Sequence, residues 1–236
     1  MTHTLVLVHT IPHLVEAFAA WCAELLPGVR VLHVLDEPML DRIKRRGDAV
    51  TRAEDDEHLA GHVALAEAIG ADAVLVTCST VSLCVDAIRE RFAIPVVKID
   101  AAMVAQAVRA GTRIAVVATA PTTLEPSRAL LAAEADRAGR RVEITLRLVE
   151  GALAALLGGG GATHDALVEQ AVREEAARSE VVVLAQATMA RVLAVLADRP
   201  VAVPVLASPQ LALAEIRRLL TERGAAPGPA HPEVRP

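Results

Sequence analysis

Short apolar runs alternate with longer amphipathic stretches along most of the chain. Residues 4–8, 30–35, 73–77, 95–99, 113–118, 142–149, 181–185 and 201–206 are brief runs rich in Val and Ile, a composition that favours strand over helix. Helical spacing of apolar positions fills the intervals 12–26, 39–69, 81–92, 101–110, 122–138, 164–179, 189–197 and 209–222. Strands that are apolar throughout, rather than alternating, are covered on both faces, as parallel sheets flanked by helices are. The pattern therefore predicts an α/β fold.

The pattern also repeats. Val74-Leu-Val-Thr-Cys78-Ser79-Thr80 and Ile94-Pro95-Val96-Val97 in the first half match Val182-Val-Leu-Ala-Gln186-Ala187-Thr188 and Val203-Pro204-Val205-Leu206 in the second. His9-Thr10-Ile11-Pro12 matches Ala118-Thr119-Ala120-Pro121. The offsets are 109 for Thr10 and Thr119, 108 for Cys78 and Gln186, and 109 for Pro95 and Pro204. A near-constant offset over three separate segments predicts two pseudo-symmetric lobes, each with a mostly parallel four-stranded sheet, and a cleft where their loops meet. Lobe one is expected to comprise residues 1–98 and 206–222, and lobe two residues 99–205. Residues 158–161 read as a flexible link between two helices, with no Gly-Lys-Ser/Thr to make a phosphate loop. Residues 223–236, rich in Pro and Gly, read as a disordered tail.

Composition narrows the function classes. The 236 residues are 53% hydrophobic but only 1% aromatic, with no Tyr, one Trp and two Phe, so the core is aliphatic and a pocket lacks stacking platforms. That feature and a net charge of −5 argue against nucleic-acid binding. No signal peptide and no membrane-spanning run is read in the sequence, so a soluble cytoplasmic protein is expected. The three cysteines, Cys22, Cys78 and Cys84, are expected to be thiols there.

In open parallel sheets, ligands bind beyond the carboxyl ends of the strands. His9-Thr10, Cys78-Ser79-Thr80, Thr119 through Thr123 and Gln186-Ala187-Thr188 all fall at such ends. Each precedes a helix, whose free N–H groups and dipole favour an anion. Ser79, Thr80, Thr122 and Thr188 add hydroxyls, which suits a small carboxylate. A thiol at a helix N-terminus gains thiolate character. Cys78 is therefore the candidate acid/base, with His9 read as its partner or as a substrate-orienting group. Cys22 and Cys84 read as core. His58 and His62 stand four apart, a spacing that can hold a metal. Their helix is highly charged and lacks an H-E-x-x-H pattern, so they read as a solvated face and no metal is expected. Lys44-Arg45-Arg46 reads as surface.

These segments resemble the aspartate/glutamate racemase superfamily, which includes hydantoin racemases, maleate isomerases and arylmalonate decarboxylases. The motifs carrying the resemblance are T-C-S-T at 77–80, A-T-x-x-T at 118–122, L-V-E-G at 148–151 and L-A-Q-A-T-M at 184–189. The resemblance implies a cofactor-independent site between the lobes, in which two cysteines on opposite faces of the substrate carbon move the proton. Cys78 matches the first. Ser79, Thr80, Thr119, Thr122 and Thr188 match carboxylate-binding positions. His9 and Thr10 match an Asp-Ser pair, and Glu150 an acidic residue near the second cysteine. The second cysteine falls at Gln186, which can hydrogen-bond but cannot shuttle a proton.

The expectation is a cofactor-independent racemase or isomerase acting on a small carboxylate, an amino acid or a derivative, through proton transfer at the α-carbon. Cys78, His9 and Glu150 are the catalytic candidates; Thr10, Ser79, Thr80, Thr119, Thr122, Gln186 and Thr188 are the substrate-binding ones. The alternatives are a single-cysteine decarboxylase or cis-trans isomerase, or a non-catalytic carboxylate binder. The expected partner is the small carboxylate, with no nucleic acid, no membrane and a homo-oligomer left open.

Overall fold

A computed structural model describes residues 3–47 and 51–225. Four strands, β1 (Thr4–His9), β2 (Arg30–Leu35), β3 (Ala73–Val76) and β4 (Val96–Lys98), form one all-parallel sheet in the order β2-β1-β3-β4. Four more, β5 (Arg113–Ala118), β6 (Glu143–Leu148), β7 (Val181–Leu184) and β8 (Val205–Ala207), form a second in the order β6-β5-β7-β8. The repeat seen in the sequence is present in the strand register. Leu5 pairs with Ala73, and Ile114 with Val181. Val74 pairs with Val96, and Val182 with Val205. The same offsets thus carry the pairing of one sheet onto the other.

The helices are α1 (His13–Leu25), α2 (Glu37–Arg45), α3 (Ala53–Ala68), α4 (Ser82–Ile88), α5 (Ala101–Ala110), α6 (Pro121–Arg137), α7 (Ala152–Leu157), α8 (Gly161–Ala176), α9 (Val192–Asp198) and α10 (Ser208–Ala225). Single 3-10 turns, Ser79–Val81 and Ala187–Arg191, lead into α4 and α9.

The structure corrects three boundaries. The helical stretch expected over 39–69 is two helices: Asp36 caps α2 by accepting from the Met39 N–H at 3.0 Å, and Gly47, at φ 79°, turns the chain beyond its end. A left-handed φ suits glycine and ends a helix that apolar periodicity alone would continue. The strand expected over 201–206 is shorter and later, Val205–Ala207, with Pro204 contributing only its carbonyl to the Val182 N–H. Proline has no N–H to give to a ladder. The expected disordered tail lies outside the described residues from 226 onward, while Arg223 belongs to α10 and donates to the carbonyls of Asp72 and Ala93.

The inner strands β1, β3, β5 and β7 are buried almost end to end, which explains their unbroken apolar runs. Leu5, Leu7 and Leu75 pack with Phe18 of α1 and with Leu213 and Ile216 of α10, so the last helix closes one face of the first sheet. Its other face packs on Ile43, Leu59 and Val63 of α2 and α3. Ala187, from the turn after β7, joins the first sheet's core. The turn Ser79–Val81 lies against α6. Each lobe's strand-end turn therefore sits at the seam with elements of the other half of the chain.

Candidate functional site

In each sheet the chain passes outward from β1 to β2, or from β5 to β6, and returns to the other side through β3 or β7. The reversal leaves a crevice beyond the carboxyl ends of β1 and β3, and of β5 and β7, where ligands bind in such sheets. His9-Thr10 and Cys78 occupy the first crevice; Thr119-Ala120 and Gln186 occupy the second.

In lobe one, Cys78 caps the 3-10 turn in an extended conformation (φ −120°, ψ 115°) and is 6% exposed. Ser82 holds its carbonyl at 3.4 Å. Ser79 and Thr80 follow on the same turn, half-buried. His9 is fully buried. Its Nδ1 lies 2.8 Å from Thr77 Oγ1 and its Nε2 lies 2.9 Å from His33 Nδ1. Thr77 Oγ1 donates to the Val8 carbonyl at 3.1 Å. With the single Thr77 hydroxyl proton directed to the Val8 carbonyl, His9 Nδ1–H donates to Thr77 and His33 Nδ1–H donates to His9 Nε2. Burial, and then the neighbouring His33, push His9 down to about 4, so the ring is neutral at neutral pH. Burial lowers His33 as well. The reading of His9 as a direct partner of Cys78 is therefore corrected: both ring nitrogens are engaged, and His9 reaches the thiol's neighbourhood only through Thr77, the residue before it.

In lobe two the Gln186 side chain turns back onto the loop after β5. Its Oε1 accepts from Thr119 N–H at 2.6 Å, Thr119 Oγ1 at 2.9 Å and Ala120 N–H at 3.2 Å. Ala120 caps α6, so Gln186 satisfies donors that a helix start leaves free. Among the described residues, the equivalent amides of Thr10 and Ile11 find no side-chain acceptor, and Thr10 Oγ1 is buried without a partner. Thr188 Oγ1 and Ser208 Oγ are also buried and unpaired, at the ends of β7 and β8.

Two expected site residues are exposed. Glu150 is exposed beyond β6, at the outer edge of the sheet, with β5 between it and the strand that leads to Gln186. Gly151, at φ 76°, turns the chain there into α7. Thr122 is exposed in the first turn of α6. Cys22 and Cys84 are core thiols that burial pushes up to about 11 and about 12, with Asp56 adding to the effect on Cys84.

Sequence reasoning missed two groups. His33 is the exposed outer end of the hydrogen-bonded chain through His9; its place on β2, two residues before the register partner of His9, was the available signal. Asp100, after β4, is 3% exposed. Burial pushes its carboxyl up to about 6, against the lowering influence of Ser82 and Lys98. Neither of its oxygens has a well-formed hydrogen bond. A buried carboxylate without full compensation is costly and marks a place where a polar partner is expected.

A cavity of about 540 Å³ lies elsewhere, between α5, α6 and α10, with Lys98, Arg109, Arg137 and Glu134 in its wall. It contains none of the candidate catalytic or substrate-binding residues. Cys78 itself keeps 6% of its surface exposed, so the surrounding turns cover most of the thiol. No helix among the described residues is long and apolar enough to cross a membrane.

Two four-stranded all-parallel sheets flanked by helices, with polar and partly unpaired groups at their strand ends, define a doubled α/β fold. The Asp/Glu/Hydantoin racemase family model matches residues 9–216, and the chain belongs to that family. Among solved structures, it is similar to the allantoin racemase of Klebsiella pneumoniae (19% identity, 94% of this chain and 89% of that one, TM-score 0.69). It is also similar to the aspartate racemase of Picrophilus torridus (12% identity, 95% of each chain, TM-score 0.70). A third similar structure is an arylmalonate decarboxylase (18% identity, 94% of each chain, TM-score 0.59). At such identities the likeness establishes the fold. Comparison with curated protein sequences gives no match.

Proposed function

We propose that the protein is a cofactor-independent enzyme that moves a proton at the carbon next to a small carboxylate, with Cys78 as the acid/base and transfer on one face only. The observation that carries this reading is the asymmetry of the two strand-end loops. Lobe two's amides are capped by Gln186, while those of Thr10 and Ile11 stand open beside Cys78. A substrate carboxylate would take the open amides, together with Thr10 Oγ1 and the start of the turn at Ser79 and Thr80. The adjoining α-carbon then meets the thiol. Thiolate abstracts the α-proton, and the developing negative charge spreads into the carboxylate, where the N–H donors stabilise it.

On the far side, Gln186 has no lone pair basic enough to accept a proton at neutral pH. Glu150 is exposed beyond the edge strand β6, with β5 between β6 and the strand that leads to Gln186, which favours a reading without it. One-face chemistry is thus favoured over racemisation: isomerisation, or decarboxylation of a malonate-type acid with the thiol delivering the proton. His9 and His33 act as positioning residues through Thr77.

The test is incubation with amino acids, dicarboxylates and α-substituted malonates in D₂O, followed by NMR and chiral chromatography. The expected result is deuterium incorporation or decarboxylation with a single configuration, lost in Cys78→Ala. Racemic product at the exchange rate would refute the one-face reading. Ligand-dependent thermal stabilisation without any exchange would make the protein a binder.

A further inference from the structure

The region with the most unexplained chemistry lies at the edge of the first sheet, outside the inter-lobe seam. We propose that Asp36, His58 and His62 form a divalent-cation site of the zinc class, fastening α3 to the end of β2. The sequence offered only the two histidines, read as a solvated face. The structure corrects that reading: both rings are half-buried and converge on one carboxylate oxygen. His58 Nε2 lies 2.6 Å from Asp36 Oδ2, and His62 Nε2 lies 2.7 Å from the same atom. The three donor atoms all lie within 4.8 Å of one another.

Donor type, donor spacing, the orientation of Asp36 and the exposure of both rings favour a cation. Two imidazoles and a carboxylate suit zinc, cobalt or nickel rather than the hard, all-oxygen ions. Ligand bonds of about 2 Å in a tetrahedral arrangement separate the donors by about 3.3 Å, so the two Asp36–imidazole separations need to open by only about 0.6–0.7 Å. Asp36 is already oriented, because its Oδ1 accepts from the Met39 N–H at 3.0 Å and leaves Oδ2 free for the ion. His58 and His62 keep 35% and 23% of their side-chain surface exposed, which gives an ion an entry path and leaves room for water as a further ligand.

The cluster is not a by-product of the duplicated fold. Asp36 N–H bonds the His9 carbonyl at 2.8 Å; in lobe two, Val149 N–H bonds the Ala118 carbonyl at 2.8 Å. The lobe-two counterpart of Asp36 is thus a valine, which ligates nothing. Binding has one local cost. Arg42 Nη1 lies 3.4 Å from His58 Nδ1. When Nε2 gives its lone pair to the ion, the ring proton sits on Nδ1, and Arg42 must turn away. Its contacts to Asp55 Oδ1, at 3.2 Å from Nε and 2.7 Å from Nη2, keep it paired.

The test uses the full chain, stripped with a chelator and then titrated with Co²⁺ by visible absorption and with Zn²⁺ by calorimetry. One ion per chain is expected, with the weak d–d bands of a nitrogen and oxygen site. Zn²⁺ affinity should fall at least about tenfold in His62→Ala and in Asp36→Asn, with the change converted from the fitted Kd. Asparagine retains the oxygen that caps α2, so Asp36→Asn guards against loss of folding, which circular dichroism checks. His13→Ala, at an exposed histidine elsewhere, should bind as the parent does. Three outcomes would overturn the site: no saturable binding by the parent, parent-like affinity in both ligand variants, or an intense sulfur-to-cobalt band placing the ion on a cysteine.

Discussion

At the end of β5 the N–H groups of Thr119 and Ala120 are held by the Gln186 amide oxygen, whereas at the end of β1 those of Thr10 and Ile11 have no side-chain acceptor. The backbones that create these loops are near copies, with the same strand order and the same register offsets. The difference comes from one side chain. Glutamine is long enough to reach back from the end of β7 and satisfy its neighbour loop; cysteine, two bonds shorter, leaves that loop open. A duplicated fold thus yields one sealed crevice and one open crevice, and only the open one carries a thiol.

The largest test of that contrast is Cys78→Ala. If the open crevice is the reacting one, α-proton exchange should fall by ~10²–10⁴-fold or more, measured as deuterium incorporation. Retained exchange would move the chemistry away from lobe one. The complementary variant is Gln186→Cys. It removes the cap and adds a thiol to the sealed side, so product configuration should change from single to mixed, as read by chiral chromatography. A product that stays in one configuration would mean the two crevices do not face one bound carbon.

Asp100 tests the polarity of lobe one through pH. Its folded-state carboxyl, pushed up to about 6 from an ordinary value of 3.8, sits above its unfolded value. Folding therefore incurs no penalty from this group below about pH 4 and an increasing one as pH rises through 6. Ser82, Lys98 and Asp86 are the neighbours that set this balance. Asp100→Asn should stabilise the protein by ~1–3 kcal/mol at pH 8 and by much less at pH 4, in urea unfolding at both values. A gain independent of pH would refute the buried-charge explanation.

The smallest expected effect is on the sealed side. Gln186→Ala leaves the Thr119 and Ala120 amides without their acceptor and should cost ~1–2 kcal/mol, by the same urea measurement, with substrate-independent thermal stability falling in step. If stability is unchanged, water has replaced the cap and the two crevices are less different than their hydrogen bonds indicate.

Much of this was legible in advance where local composition and repetition act alone. The runs 30–35 and 113–118 coincide with β2 and β5 because short Val- and Ile-containing runs favour strand over helix. The register offsets followed from the Cys78 and Gln186 alignment. The break between α2 and α3 was missed because apolar periodicity runs through it, although Asp36, Pro38 and Gly47 are ordinary start and stop signals. The positions of Cys78, Ser79, Thr80, Thr119, Gln186 and Thr188 at strand ends were legible. The exposure of Glu150 was not, because sequence places a residue after a strand without saying whether that strand lies at the edge of its sheet; that of Thr122 was not, because sequence does not say which face of α6 packs on the sheet.

By itself the sequence determined the α/β class, the duplication, the parallel sheets and the thiol–amide asymmetry, since each depends on composition, periodicity or internal alignment. Only the tertiary structure decided which polar groups meet. It turned Gln186 onto Thr119, tied both nitrogens of His9 to Thr77 and His33, left Asp100 without a full partner and brought Asp36 between His58 and His62. These are contacts between residues 22 to 68 apart in the chain, or a missing contact in a buried place. No local propensity encodes them, because they depend on where packed strands and helices carry short side chains within hydrogen-bond reach.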